Sequence, residues 1–277
     1  MRWALSTRLF ADQRLTAALL DKIARAVICS VQLDCDRRHL DYRQRAQIDD
    51  LRHWFADSEL QPVTLVAPQR DDQAGLRGGP DGVIRITERE KPARIKATDE
   101  LKRALELADL IPFRYFILHF GAPDEEFHEA KIDSAFNALD ELHVMARQLR
   151  VEILLENFAN ELCTADQLAH FLRVTHLPFG YAFRVGAAHR GAGVEEEFEK
   201  MRESIRIVEL EDNDGESDLR LFPEDEGGTI DWPAVMRLVR GLDSSPLLAL
   251  DPGEGLDEAA PLDKARRVFD RLESLRD

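Results

Sequence analysis

A chain of 277 residues that is 44% hydrophobic, with a formal charge of -16, has room for one large α/β domain or two small ones. It holds no apolar run of membrane-spanning length. Its start, Met1-Arg2-Trp3-Ala4-Leu5-Ser6-Thr7, lacks the basic, apolar and cleavage regions of a secretory signal, so a cytoplasmic protein with no membrane partner is expected.

Short β-rich segments recur along the chain: Trp3 to Thr7, Ile28 to Leu33, Pro62 to Val66, Arg114 to Phe120, Val151 to Glu156, Phe179 to Val185, Ile205 to Glu211 and Pro246 to Leu250. Helical patterns fall between most of them, at Leu15 to Val27, Ile48 to Asp57, Asp99 to Leu110, Ile132 to Leu149 and Ala165 to Val174. Two more, Trp232 to Leu242 and Leu262 to Leu275, follow strands seven and eight. Asp231 is placed to cap the first of these, with Pro233 in its opening turn where a missing backbone donor is harmless. Eight strand-helix units predict an α/β fold, a (βα)8 TIM barrel, as one domain over 1–277 with no linker to divide it. The glycines and proline of Gly75, Gly78-Gly79-Pro80 and Gly82 predict a long loop at about 67–97, after strand three.

Composition narrows the partners. Acid crowds into Glu195-Glu196-Glu197, Glu209 to Asp218 and Glu224-Asp225-Glu226, and no Lys/Arg-aromatic stripe offsets it, which disfavours nucleic acid. The three cysteines, Cys29, Cys35 and Cys163, form neither a disulfide framework nor zinc-site pairs, and Cys29 is expected to be a small buried side chain. Neither a GxGxxG nor a phosphate-loop lysine motif is present, and no cofactor is expected.

Certain words sit at the strand ends: Ser6-Thr7-Arg8-Leu9-Phe10, His39-Leu40-Asp41-Tyr42, Ile117-Leu118-His119-Phe120-Gly121, Ile153-Leu154-Leu155-Glu156-Asn157, Glu211-Asp212-Asn213-Asp214-Gly215 and Gly227-Gly228-Thr229-Ile230-Asp231-Trp232. In this order they resemble the xylose-isomerase-like barrel family, which includes sugar isomerases and epimerases and class II apurinic endonucleases. The resemblance covers nearly the whole chain. It implies a divalent metal at the C-terminal face of the barrel, polarising a sugar carbonyl and hydroxyl, and Glu156 matches the family glutamate at the end of strand five.

Elsewhere the chain departs from that pattern. The family's Asp-x-Gly-His after strand six reads Arg184-Val185-Gly186-Ala187, Gln32 stands for the acid after strand two, and Val66 for the strand-three histidine. Glu211 replaces the histidine before Asp-Asn-Asp-Gly, Arg220 replaces a later histidine, and Leu250 or Asp251 approximates the last glutamate. No metal ligand is therefore assigned. A permanent guanidinium at 184 supplies positive charge while removing a donor, so Arg184 is expected to pair with Glu156 or Glu211; the alternative is that it turns outward to a surface carboxylate.

The candidate catalytic residues are Glu156, Glu211, His119 and Arg184. His39 is read either as a mouth residue or as part of a loop network, Asn157 as a sugar contact or turn former, and Asn160, Asp212 and Asp214 as turn formers. Three functions stay open. One is a diverged isomerase-like barrel that binds a small polar or sugar-like ligand or a protein partner. The second is a metal-independent isomerase or epimerase with Glu156 and Glu211 as acid and base, and the third is a structural subunit that associates with an active relative; a homo-oligomer is also open.

Overall fold

Side chains of a strand alternate between its two faces, so a closed sheet sorts every strand into inward and outward positions. The computed structural model describes residues 1–70, 82–123, 125–253 and 260–275. Its strands are β1 (Arg2–Ser6), β2 (Ser30–Asp34), β3 (Gln61–Val66), β4 (Tyr115–Leu118), β5 (Glu152–Glu156), β6 (Gly180–Arg184), β7 (Ile205–Leu210) and β8 (Leu247–Leu250). Neighbours pair in parallel and in chain order, and β8 returns to β1, with Ala4 opposite Ala249. This is the expected (βα)8 barrel. The strand ends lie within a few residues of those read from the sequence.

The helices are α1 (Ala17–Arg25), α2 (Arg45–Ala56), α3 (Lys91–Leu105), α4 (Glu129–Leu149), α5 (Ala165–Thr175), α6 (Val185–Arg190), α7 (Val194–Met201), α8 (Trp232–Arg240) and α9 (Pro261–Ser274). Side-chain caps fix several starts: Thr16 accepts from Leu19 N, Thr164 from Gln167 N, and Asp231 from Ala234 N at 3.0 Å, with a proline in the first turn of α8 as expected. Their apolar faces and the outward strand positions form the main core, which includes Leu5, Leu33, Phe116, Phe183 and Trp232.

Three local expectations are corrected. The loop after β3 ends before 97, because Lys91 already begins α3 with Pro92 in its first turn; residues 71–81 of that loop lie outside the described residues. Between β6 and β7, where the sequence showed no helical pattern, the short helices α6 and α7 stand, α6 starting directly from the last strand residue. Cys29 is exposed rather than buried, since it lies in the connection between α1 and β2, just before the strand begins; Cys35 and Cys163 are buried.

Inside the barrel a second, smaller core comprises Ala4, Val66, Tyr115, Ile117, Leu154, Ala182, Ile207, Leu247 and Ala249. Two residues further along the same strands, the same alternation brings polar residues inward: Ser6, His119, Glu156, Arg184, Glu209 and Asp251, with Glu211 a further two along β7. The apolar floor and the polar mouth thus follow from one period. Barrel active sites form at this C-terminal end.

Candidate functional site

Arg184, the last residue of β6, has no solvent exposure, which for a permanent cation requires carboxylates in contact. Its Nε lies 2.7 Å from Glu211 Oε1 and its Nη2 2.5 Å from Asp218 Oδ1. Glu211 is fully buried, while Asp218 is partly exposed. The inward pairing expected of Arg184 is therefore present, and Glu211 is the partner; Glu156 acts on Arg184 only through its charge. Asn157 fixes the backbone here, accepting from Arg184 N at 2.6 Å and donating to Arg184 O at 3.1 Å. Gly186 makes room for the pair. A Cβ at that position would stand 2.5 Å from Glu211 Oε1 and 2.8 Å from Asn213 Nδ2.

The ion pair continues around the mouth as a chain of alternating charge. Asp218 Oδ2 lies 3.5 Å from Arg220 Nε, and Arg220 Nη1 donates to Asp251 Oδ2 at 2.7 Å. Asp251 Oδ1 lies 3.5 Å from Arg8 Nε, and Arg8 Nη2 donates to Asp34 Oδ1 at 2.8 Å. Three guanidinium groups thereby interleave with four carboxyls from Asp34 to Glu211. Burial raises the Glu211 carboxyl to about 7, against the lowering pull of Arg184 and Arg220. Burial acts the same way on Asp218, but there the charges of Arg184 and Arg220 win and hold the carboxyl below the usual range.

A second cluster crosses the barrel. His119 Nδ1 is 2.9 Å from Glu156 Oε2, and the His119 ring stacks on Phe158 with centroids 3.9 Å apart and planes inclined by 6°. Phe158 also lies 5.9 Å from the guanidinium carbon of Arg184. Burial pushes the Glu156 carboxyl up, yet the hydrogen bond and charge of His119, joined by Arg184, hold it below its ordinary range. Glu209 behaves oppositely: burial, then the charges of Glu156 and Asp251, push its carboxyl well up. Gln32 Nε2 donates to Glu209 Oε1 at 2.7 Å, and Gln32 Oε1 accepts from Thr64 Oγ1 at 3.3 Å. Glu209 Oε2 has no hydrogen-bond partner among the described residues, and the upward push on this carboxyl favours a proton there over a second buried charge beside Glu156.

Of the four candidate catalytic residues, the mouth holds Glu156 with His119 and Glu211 with Arg184 as two separate pairs. His39 belongs elsewhere: it is fully buried, with Nδ1 2.7 Å from Gln13 O, and joins the loops after β1 and β2. Asn160 is a turn former, donating to Phe120 O and Ala122 O and accepting from Leu162 N and Cys163 N. Asp212 accepts from Trp232 Nε1 at 2.6 Å, and Asp214 accepts from Glu216 N and Ser217 N, so both hold loop structure. Sequence reasoning missed Arg8 and Asp34 as site residues, although Arg8 lies within a quoted strand-end word. It also missed the role of Glu209, which strand alternation places one inward position before Glu211.

The family model described as xylose isomerase-like TIM barrel matches residues 20–273. A D-tagatose 3-epimerase-like protein of known structure superposes with a TM-score of 0.77 at 20% identity, covering 99% of this chain and 97% of its own. The IOLI protein with a binding zinc atom gives 0.79 at 14%, covering 99% and 98%. D-psicose 3-epimerase in the presence of D-fructose gives 0.78 at 11%, covering 99% of both chains. No curated protein matches the sequence. At these identities the structural likeness speaks for the fold alone.

Proposed function

We propose that this chain, which belongs to the xylose isomerase-like TIM barrel family, is a diverged isomerase- or epimerase-like barrel that binds a small polar ligand at its mouth without the divalent-metal chemistry of sugar isomerisation. One observation carries the reading: the buried guanidinium of Arg184 at the end of β6, 2.7 Å from Glu211 and 2.5 Å from Asp218. A divalent ion needs converging carboxylate, imidazole or carbonyl donors, and a guanidinium has none to give. The residues present do not fit such an ion. Arg184 occupies the inner end of β6, Arg220 binds Asp251, Gln32 turns its amide donor toward Glu209, and Glu156 is engaged by His119. Among the described residues no group of three or more His, Cys, Asp or Glu is arranged to hold a metal.

What the mouth retains is polar capacity. Arg184 Nη1 and Glu211 Oε2 are buried without a hydrogen-bond partner among the described residues, while Arg8 Nε and Asp251 Oδ1 make no hydrogen bond and meet each other at 3.5 Å. One donor and one acceptor side by side suit a ligand whose hydroxyls both give and accept hydrogen bonds. Metal analysis after dialysis against excess Mn²⁺ and Zn²⁺, paired with a crystal grown in both, tests the reading. Less than a tenth of an equivalent bound, with Arg184 in place, is expected; an ion held by Glu156 and Glu211 with Arg184 displaced overturns it.

One feature favours a second reading, a metal-independent isomerase or epimerase. Glu156 is held ionised while Glu211 is raised to about 7, and such a separation gives one carboxyl the role of base and the other that of acid. In this reading Arg184 Nη1 donates to the oxygen of the enolate that forms when Glu156 takes the proton from carbon. Candidate ketoses incubated in deuterated water then gain deuterium with wild-type protein and not with Glu156→Gln. No uptake by wild type removes this reading and leaves the binding reading standing.

A further inference from the structure

Beside the polar mouth lies a cavity of about 100 Å³ between the ends of β3 and β4 that the charged network does not reach. Ala67, Ile84, Ile117 and Phe158 form apolar wall, and the polar side chains on it are His119, Gln69 and Arg70. Ala67 and Ile117 are buried core residues, so this wall is part of the packed barrel.

His119 brings one directed polar atom to that wall. Glu156 is the acceptor, so Nδ1 of His119 is the donor in the 2.9 Å contact, and in the ring that carries that proton alone Nε2 keeps its lone pair. Nε2 makes no hydrogen bond among the described residues and is not sealed from solvent. The stack on Phe158 fixes the ring plane. A ring held by a carboxylate on one nitrogen and an aromatic face on its side presents the other nitrogen in a set direction.

We propose that this cavity is a binding site for a compact ligand with an apolar body of roughly six heavy atoms and one hydrogen-bond donor, given to Nε2 of His119. If the mouth binds its own polar ligand as proposed above, this cavity takes the apolar substituent of that molecule. The two proposals fail separately, because metal analysis reports on Arg184 and probe binding reports on His119.

Three probes of six heavy atoms separate the elements of the proposal: cyclopentanol has an apolar body and a donor, cyclopentanone the same body with an acceptor only, and glycerol is a polyol. Each is titrated into protein carrying ¹³C-labelled histidine, with the His119 signal assigned by its loss in His119→Gln. Cyclopentanol is expected to shift that signal saturably, at least about tenfold more tightly than glycerol or cyclopentanone. Ala67→Leu, which fills the cavity and leaves the charged network intact, is expected to abolish the shift while the melting temperature shows the variant folded. Glycerol binding as tightly as cyclopentanol overturns the apolar assignment, and cyclopentanone doing so overturns the donor assignment. A cyclopentanol shift that persists in folded Ala67→Leu, or no saturable shift in wild type, overturns the site; should the variant not fold, the ranking of the three probes on wild type decides.

Discussion

Replacing Arg184 with Met keeps most of the side-chain volume and removes the charge, leaving Glu211 fully buried and Asp218 partly exposed without their shared cation. Two unit charges about 4 Å apart attract by about 4 kcal/mol at an effective dielectric of about 20, and desolvation offsets part of that. Removing one partner of a buried pair commonly costs about 3–5 kcal/mol, because the other charge is stranded. We therefore expect Arg184→Met to lose about 3 kcal/mol at pH 8, read from urea unfolding by circular dichroism. The loss should depend on pH. Glu211 carries its proton below about 7, so at pH 5 Arg184 keeps only Asp218 as an ionised contact, with Glu156 acting from farther off, and its removal should cost roughly half as much. Arg184→Met/Glu211→Leu exchanges the pair for apolar groups and should regain most of the loss at pH 8. An equal loss at both pH values, or a double variant as unstable as the sum of the single ones, would refute the buried-pair argument.

Other consequences follow from the same geometry. The folded carboxyl of Glu211 titrates near 7 against 4.5 when free, so the folded state binds the extra proton between those values and stability falls as pH rises from about 4.5 to about 7. At about 1.4 kcal/mol per unit that interval amounts to roughly 3 kcal/mol, and Glu211→Gln should flatten this part of the stability-pH curve; an unchanged slope contradicts the assignment. Asp218 and Glu156, held below their ordinary range, act in the opposite sense and only at lower pH, where protonation removes their contribution. Gly186→Ala drives a methyl to 2.5 Å from Glu211 Oε1 and 2.8 Å from Asn213 Nδ2 and should cost about 2 kcal/mol in urea unfolding; an unchanged stability contradicts this close packing. A disulfide reagent should modify one thiol in the native protein, Cys29, and all three in urea; burial shields Cys35 and Cys163 and pushes both thiols up.

The barrel was legible in the sequence because its signals are local. A strand of four to six residues with an inward-outward period, a cap such as Asp231 and a proline one position past a helix start each act within a turn or two of chain. Pro92 was such a signal for α3, masked by the glycine-rich and charged stretch before it. Arg184 was legible for a different reason: its strand-end word fits a known pattern except at the residues that would ligate a metal. The partners could be named only as a choice between Glu156 and Glu211. Both are inward strand-end positions, and which one the guanidinium reaches depends on barrel stagger, which a single strand does not encode.

The rest of the site was not legible because it is made across the barrel axis. Gln32 and Glu209 are 177 residues apart and 2.7 Å in space, and Arg8 reaches Asp251 from the other end of the chain. Nothing within either segment marks the pairing. Closure of the strands makes it, and once the strands close, a polar mouth dense in carboxyls requires cations or protons to remain buried. Three guanidinium groups interleave the outer carboxyls from Asp34 to Glu211, and at Glu209 burial and the charge of Glu156 favour the protonated carboxyl. Each cation added this way also occupies donor oxygens. In the proposed reading Gln32, Arg184 and Arg220 act together, since replacing one alone would leave the others holding the carboxylates that an ion would need.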